Sequence, residues 1–568
     1  MEKIDNLSGR LEIQDVLTDY YKKVIEVDKQ NLIYVIYLST ATIYPEYKNQ
    51  QLNLGDKIIF DCLVECTGRK MSIIKSEYKK EGDFGIIGMK FRTTQLFISK
   101  KTLSVKDVID GLRYIASISG IKSKTLKIRK MLEMISICSP IETKFLFRLF
   151  EEKLKVKFAF KTVLIALGKV FGNNYDDIIK EAYHKRPDIE QLVDYLIKKG
   201  IENLQFEFEI VPGIPLKPML AQPSKNIACA FKRVENKKFT CENKYDGERI
   251  QIHRVNNVMK MYSRNLENST NKFIDIDIKS KLNKDFVLDG EVVAYDFKTY
   301  KILPFQTLST RKRKETSTIN VSVCVFIFDI LFFNGISLIN KSLENRREVL
   351  YSEFEEIKGK FQFSEYINCS NIDEIEDFFT KSLTGNYEGI MIKTLDDSSK
   401  YLPSERSNSW IKLKKDYIDN VSDTFDLVVI GAYYGKGKRT GWYGGFLLAS
   451  YDNENDVFET ICKIGTGFDE LTLGRLYEEL NILSTMHPKN IKYKEQTIPD
   501  IWIKPHIVWE IKAAAVSPSP IYSCGIQNDS KGYSLRFPRF LRERNDKKCT
   551  DATSSKQITL IYNESIKN

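Results

Sequence analysis

The spacing of apolar residues changes character along the chain, and each change marks a part of it. Up to about Gly120 the signals are mixed and helix-like, with a turn expected at Gly82-Asp83-Phe84-Gly85. From Lys122 the period is clear: Ile128, Met131, Leu132 and Ile135 recur at helical spacing. Ser139-Pro140-Ile141-Glu142 reads as a capping box with proline in the first turn. It opens a helix whose apolar face carries Phe145, Leu149 and Phe150. Pro212, Gly213, Pro215 and Pro218 then crowd the segment before Met219, the clearest boundary in the chain. A helical part should end there.

Beyond it the period falls to two. Runs at 259–264, 286–295, 321–333 and 389–393 predict an α+β domain built on antiparallel pieces. After Lys415, strand-like runs at 426–434, 445–451 and 458–464 predict a compact barrel of the kind that binds nucleic acid, with the basic glycine-rich connection G-K-G-K-R-T-G at 435–441. In the first of these β regions, Phe239 and Cys241 alternate with polar neighbours before E-N-K-Y-D-G-E-R (242–249), and Ile250 and Ile252 do so after it. Asp246-Gly247 between them is a strong turn signal. The pattern predicts a hairpin that leaves Lys244 where strand runs into turn, its backbone fixed and its side chain free to enter a cleft.

With 568 residues, 42% hydrophobic and 12% aromatic, the chain should fold into two to four domains. Its 87 Lys+Arg against 76 Asp+Glu give +11, the sign that polyanion binding requires. Among ten scattered cysteines only Cys62 and Cys66 are close, and the four histidines are isolated. No four-ligand zinc pattern can be assembled, and reduced thiols in an intracellular compartment are expected. The longest apolar run, Val323–Phe333, is interrupted by Asp329 and is too short for a bilayer. No signal-peptide pattern opens the sequence.

Further islands follow Lys244 in order. Ser263-Arg264-Asn265 offers a guanidinium, and F-V-L-D-G-E-V-V (286–293) places Asp289 and Glu291 in an apolar strand, where carboxylates need a cation or a ligand hydroxyl. F-I-F-D (326–329) adds aromatics, Y-E-G-I-M-I-K (387–393) adds Glu388, and W-I-K-L-K-K-D-Y (410–417) puts Lys412 and Lys414 on one strand face, as a phosphate clamp would need. Singly, each has a non-catalytic explanation: core packing for Phe328, an ion pair for Glu388, a solvent face for the lysines. The ordered set resembles the covalent nucleotidyltransferase motifs of ATP-dependent DNA ligases. The likeness extends from about residue 50 to 560 and is most specific over 218–547. G-Y-S-L-R-F-P-R-F-L-R-E-R-N-D-K (532–547) resembles the last ligase motif, and the basic region 139–166 resembles the family's helical DNA-binding domain. Within the family the chain is most similar to the ligase III branch, particularly poxvirus ligases, without a zinc finger or a BRCT-like domain.

The resemblance implies a multi-domain fold: an all-α DNA-binding domain (51–215), an α+β nucleotidyltransferase (adenylation) domain (216–420) and a β-barrel OB-fold domain (421–560). Residues 1–50 are left with no assigned role, and 561–568 as a tail. It implies a monomer that uses ATP and Mg²⁺ to seal nicks in double-stranded DNA, in replication, repair and recombination, with no membrane partner. The poxvirus likeness implies the host cytoplasm, with the nucleus as alternative.

The residue roles that the resemblance implies begin with Lys244 attacking the α-phosphate of ATP. Glu242 would read the adenine edge, Phe328 would stack on the base, and Arg249 and Arg264 would hold the nucleotide and the nick phosphate. Glu291 and Glu388 would bind ribose or Mg²⁺, and Lys412 and Lys414 would neutralise the α-phosphate. Arg536, Arg539, Asp546 and Lys547 would close over the leaving pyrophosphate by a hinge near 416–423. Lys393 would also face the nucleotide, although alternation from Glu388 puts it on the opposite strand face, so a bulge or strand end is needed. Lys144, Arg148, Lys153, Lys155 and Lys157 would meet duplex phosphates. An amine attacks only when deprotonated, and free lysine titrates near ~10.4, so neighbouring cations should favour the neutral form. An RNA ligase or an mRNA capping guanylyltransferase of the same superfamily is the alternative enzyme, and a non-catalytic nick-binding scaffold the alternative of another class.

Overall fold

The computed structural model describes residues 1–91, 102–172, 174–276, 278–311, 321–385, 387–414, 424–486, 490–526 and 531–567; the hinge expected at 416–423 lies outside them. Two compact units result: residues 1–74 with 84–414, and residues 75–83 with the described residues from 424 onward.

Helices fill the N-terminal part, where apolar residues repeat at three and four. Helix Pro140–Phe150 opens with the expected capping box: Ser139 Oγ accepts from the Glu142 N–H, and the Glu142 carboxylate accepts from the Ser139 N–H. The helix packs on Phe84–Phe91, where Gly88 makes room for the Phe147 ring; a Cβ there would stand 2.6 Å from it. Helix Ser123–Ile137 buries Ile128, Met131 and Ile135 as their spacing predicts, with Leu132 half-buried. The turn expected at 82–85 is shorter than that, because Phe84 and Gly85 already belong to the next helix, and Phe84 meets Phe60 edge-on at 4.9 Å. Residues 1–50 are part of the same helical body. Helix Arg10–Asp28 lies along Phe160–Phe171 and buries Ile13, Leu17 and Tyr21.

The proline-rich segment before Met219 is clamped rather than loose. Gly213, at φ +95°, donates its N–H to His253 Nδ1 (3.0 Å), and its carbonyl accepts from the Tyr262 hydroxyl (2.6 Å). Gln251 grips Leu216 from both sides, accepting its N–H at 3.1 Å and donating to its carbonyl at 2.7 Å. Burial, with Lys260 nearby, pushes His253 down to about 3, so its ring stays neutral and able to accept.

Twelve strands follow: β1 (Leu220–Pro223), β2 (Phe239–Lys244), β3 (Glu248–Val255), β4 (Val258–Ser263), β5 (Phe286–Asp296), β6 (Lys301–Ile302), β7 (Val323–Phe333), β8 (Ile336–Ser337), β9 (Phe361–Phe363), β10 (Tyr366–Cys369), β11 (Gly389–Thr394) and β12 (Arg406–Lys414). They form two sheets. One runs β1-β12-β11-β2-β10; the other runs β4-β3-β5-β7-β8, with β6 beside β5 and β9 beside β7. Most pairs are antiparallel, but β1 with β12 and β7 with β9 are parallel. On β5, Leu288, Val292 and Ala294 enter the main core with Ile250, Ile252, Val325 and Ile327, while Val287 packs with Leu331, Tyr401 and Trp410. Asp289 and Glu291 share the second of these faces by alternation.

The hairpin expected around Lys244 does not form. β2 pairs with β10 and β11, and β3 pairs with β4 and β5, so residues 245–247 carry the chain from one sheet to the other. A two-residue Asp-Gly hairpin needs positive φ at both central positions, and neither Asp246 nor Gly247 has it. Glycine is required for another reason: a Cβ at 247 would run into the Val292 carbonyl of β5.

In the C-terminal unit, strands Thr424–Tyr434, Tyr443–Asp452 and Val457–Ile464 form a meander, joined by Val508–Lys512 and Arg539–Glu543. Phe446, Leu448, Ile461 and Trp509 fill its barrel-like interior, with helix Glu470–Ile482 against them. The expected tail is the end of helix Ser555–Lys567, whose Ile558 is fully buried and whose Ile561 and Tyr562 pack on the same core. No helix among the described residues is long and apolar enough to cross a membrane.

Candidate active site

Between the two sheets lies a cleft of about 370 Å³. One wall comes from β2, β11 and β12 and carries Glu242, Lys244, Met391, Lys393, Trp410, Lys412 and Lys414; the other comes from β3, β5 and β7 and carries Arg249, Glu291 and Phe328. Arg264 lines it from the turn after β4.

Lys244 ends β2 at the crossing between sheets. Its Nζ donates to Glu388 Oε2, and Lys414 donates to the other oxygen of the same carboxylate. Burial would raise the Glu388 pKa, but Lys244 and Lys414 together hold it below the usual range. Glu388 reaches them because it precedes β11: Gly389 takes φ +144°, which breaks the alternation, and Met391 and Lys393 then face the cleft. The two residues that alternation placed apart are reconciled by a strand end.

The floor is a buried charge network. Glu242, 2% exposed, accepts from Arg347 on one oxygen and from Lys393 Nζ on the other, the latter at 2.7 Å. Lys393 lies 4.3 Å from the ring centres of both Phe328 and Trp410, which meet edge-on. Burial lowers its pKa, against the pull of Glu242. Arg249 grips Asp289 with Nε (3.1 Å) and Nη2 (2.7 Å) and donates to the Met219 carbonyl (2.7 Å), while the Tyr401 hydroxyl donates to Asp289 (2.7 Å). Burial opposes the charge of Arg249, but Asp289 outweighs it and raises its pKa. Arg346 and Asp329, both fully buried, pair behind Phe328 at 2.7 and 2.8 Å.

Two groups have an excess of one charge. Burial, then Lys414, Lys244, Arg406 and Arg264, lowers the pKa of Lys412, so the cleft carries positive charge that an entering phosphate would relieve. Burial pushes Glu291 up to about 7, and no hydrogen-bond donor meets its carboxylate among the described residues. Such an oxygen, with Glu388 nearby, fits the one or two carboxylates through which Mg²⁺ is usually held beside substrate phosphates.

Other expected residues lie elsewhere. Lys144 and Arg148 are engaged by Asp5, at 2.6 and 2.9 Å, and Arg148 is only 5% exposed; they tie the first helical turn to helix Pro140–Phe150. Lys155 pairs with Glu151 at 2.8 Å, while Lys153 and Lys157 are exposed. In the C-terminal unit, Arg536 ends a strand with its guanidinium 5.0 Å from the Phe537 ring, and Arg539 begins the next. Lys547 donates to Asp426 at 2.7 Å. Arg544, which the motif reading passed over, bridges Asp426 and Asp546. Sequence reasoning also missed Arg346, Arg347 and Tyr401. No local spacing in E-N-R-R-E (344–348) marks a guanidinium that will be buried.

An amine set among cations, an aromatic shelf and buried acceptors between two sheets can bind a nucleoside polyphosphate and attack it. Fold and cleft together define a nucleotide-using enzyme. Three family profiles cover the chain: "DNA ligase N terminus" over residues 1–168, "ATP dependent DNA ligase domain" over 218–414 and "ATP dependent DNA ligase C terminal region" over 439–547. The chain is 42% identical to "DNA ligase 1" of Saccharomyces cerevisiae over 99% of its own length and 78% of the relative's, and 40% identical to that of Arabidopsis thaliana over 98% and 74%. It is 33% identical to a "DNA ligase" of Acidianus ambivalens over 100% and 96%. A solved structure titled "Pmar-Lig_PreS3" shares the fold at a TM-score of 0.55 and 16% identity, over 96% of this chain and 98% of that one.

The chain belongs to the ATP-dependent DNA ligases. It is a DNA ligase that depends on ATP, in place of the capping, RNA-ligase or scaffold alternatives. These relatives are eukaryotic DNA ligase 1 proteins and an archaeal ligase; they give no support to the ligase III-like and poxvirus-like placement expected from the sequence.

Proposed function

We propose that Lys244 is the nucleophile and that the enzyme seals nicks in duplex DNA in three transfers. In the first, Lys244 Nζ forms a bond to the α-phosphorus of ATP as the bond to pyrophosphate breaks. In the second, the 5′-phosphate oxygen of the nick takes the AMP and frees the lysine. In the third, the 3′-hydroxyl attacks the phosphorus of the nick's 5′-phosphate, loses its proton and expels AMP. The observation that carries this reading is the placement of the Lys244 amine at the seam of the cleft, with cations on both walls.

The chain's own groups supply position and charge. Lys412 and Lys414 stand on one face of β12 where an α-phosphate beside Lys244 would lie, and phosphoryl transfer depends on such electrostatic stabilisation. Arg249, locked by Asp289, has no freedom to swing, so it holds a ligand without reorganising. Phe328 and Trp410 offer an apolar shelf for the base. Glu388 must give up Lys244 for the amine to attack, and an incoming phosphate competes for the same lysines. Mg²⁺ held by Glu291 and Glu388 would add charge neutralisation on the polyphosphate.

Exposed Lys153 and Lys157, rather than Lys144 and Arg148, would contact duplex phosphates from the helical domain, and Arg536, Arg539, Asp546 and Lys547 would serve pyrophosphate release. The eukaryotic relatives favour replicative and repair joining, and the nuclear alternative over the cytoplasm, since the cytoplasmic placement rested on the poxvirus likeness. We read the working form as a monomer on nicked duplex DNA.

Incubation with radiolabelled ATP and Mg²⁺, followed by denaturing electrophoresis, tests the reading. It requires an acid-labile label on the wild type, none on Lys244→Ala and none from GTP. A label that survives in Lys244→Ala would move the nucleophile elsewhere.

A further inference from the structure

Arg347 does not line the cleft, yet it is bonded to a group that does. It lies on helix Leu343–Glu353, whose N-cap Ser342 accepts from the Asn345 N–H and whose preceding arginine, Arg346, is bound to Asp329 and to the Lys341 and Ser399 carbonyls. That anchoring fixes the helix against β7, the strand that carries Phe328. Arg347 Nη2 then reaches Glu242 Oε1, with the guanidinium 4.6 Å from the Tyr366 ring. Its Nε and Nη1 are buried without a hydrogen-bond partner. A buried donor left unmet costs about 1–3 kcal/mol. Two of them on one side chain make the Glu242 contact its single hydrogen bond among the described residues.

From this we infer that Arg347 is a positioning residue that sets the nucleobase preference of the cleft. The inference rests on the reading that Glu242 meets the base edge. Arg347 and Lys393 approach the Glu242 carboxylate one on each oxygen, and so fix both its rotation and its role. An ionised carboxylate is an acceptor only, and each oxygen keeps lone-pair capacity beyond one donor. The group left facing the cleft therefore suits a 6-amino purine, whose exocyclic amine donates. A 6-oxo purine presents a second acceptor, and two facing acceptors repel. Without Arg347, the carboxylate keeps Lys393 but can rotate about it, and the preference should fall while phosphate binding by Lys412, Lys414 and Arg249 is untouched.

The test compares ATP, inosine triphosphate (6-oxo) and purine riboside triphosphate (no 6-substituent) as substrates for covalent labelling, in wild type, Arg347→Lys and Arg347→Ala. Wild type should show the lowest KM for ATP. Arg347→Ala should raise the ATP KM about tenfold, the scale of one charge-assisted hydrogen bond, and Arg347→Lys should raise it by less. The KM for purine riboside triphosphate and kcat for both should stay within about twofold, and Arg347→Lys, which keeps the charge, should lose less than Arg347→Ala. An equal rise for both nucleotides would reduce Arg347 to a structural role, and an unchanged ATP KM would overturn the inference. A wild type that treats ATP and purine riboside triphosphate alike would overturn both the base-edge reading and the inference. Equilibrium binding of the same three nucleotides to Lys244→Ala, with and without the Arg347 changes, repeats the comparison without chemistry, so a failure of the covalent reading would be seen separately. Arg347→Lys carries the test if Arg347→Ala does not fold.

Discussion

Arg249 and Asp289 meet across neighbouring strands through two hydrogen bonds, 3.1 and 2.7 Å long, with the carboxylate fully buried and the guanidinium at the cleft wall. The pair joins folding to ligand binding. Asp289→Asn leaves a buried guanidinium without its counter-charge, which costs about 3–5 kcal/mol when a buried pair is broken. Denaturant titration should show a loss in that range, and the ATP KM should rise about tenfold as the arginine loses its fixed direction. A stable variant with unchanged KM would mean that the Met219 carbonyl and the Tyr401 hydroxyl suffice to hold Arg249.

Gly247→Ala should be far more harmful to chemistry than to folding. The added methyl runs into the Val292 carbonyl, so the crossing from β2 to β3 must shift and carry Lys244 with it. Overpacking of this kind costs about 1–3 kcal/mol, whereas a displaced nucleophile costs on the order of 10²-fold in rate. Single-turnover labelling with ATP, set beside the melting temperature, reads both effects. Wild-type labelling by the variant would show that the crossing yields without moving the amine.

The helical domain separates two kinds of lysine. Lys153→Ala and Lys157→Ala should weaken nick binding uniformly across sequences and each reduce the salt slope by about 1. Lys144→Ala should leave nick affinity as it was and lower stability by about 1 kcal/mol, since Lys144 is engaged with Asp5. Fluorescence anisotropy against salt concentration distinguishes them, and a lost salt slope in Lys144→Ala would return that residue to the DNA surface.

Acid should loosen the clamp on the proline-rich segment through His253. Its folded pKa, about 3, lies below the unfolded value of 6.5, so the folded state binds the proton less tightly. The stability it contributes is present above pH 6.5 and is lost as pH falls toward 3. At pH 5 the loss is about 2 kcal/mol. Urea unfolding at pH 7 and pH 5 should show a smaller difference for His253→Gln than for wild type by that amount. Equal differences would mean that the folded ring takes its proton as readily as the unfolded one, and that the Gly213 N–H does not hold it neutral.

Much of the fold is legible in residue spacing, because period and capping are local properties. Ser139 and Glu142 announce their helix three residues apart, and the β5 and β7 strands announce themselves by apolar runs that only a few polar residues interrupt. The crossing at 245–247 is not legible for the opposite reason: Asp-Gly favours a turn, but which strands then pair is decided by partners far along the chain, such as Gly389 for Lys244. The same distance hid the engagement of Lys144 and Arg148 by Asp5 and the grip of Arg347 on Glu242. Where a local break was written in sequence, it could be used: Gly389 marks the strand end that lets Glu388 and Lys393 serve one cleft.

A lysine on a hairpin would ride on a single sheet, and its surroundings could drift without consequence for the rest. Here the crossing makes the amine a hinge pin between two sheets, and the cleft opens along the joint. A nucleotide lodged there would touch both leaves, and bonded to Lys244 as proposed it would be a brace across the joint. The charged enzyme is thus the stiffer of two mechanical forms, and each round of joining removes the brace that the next ATP must put back.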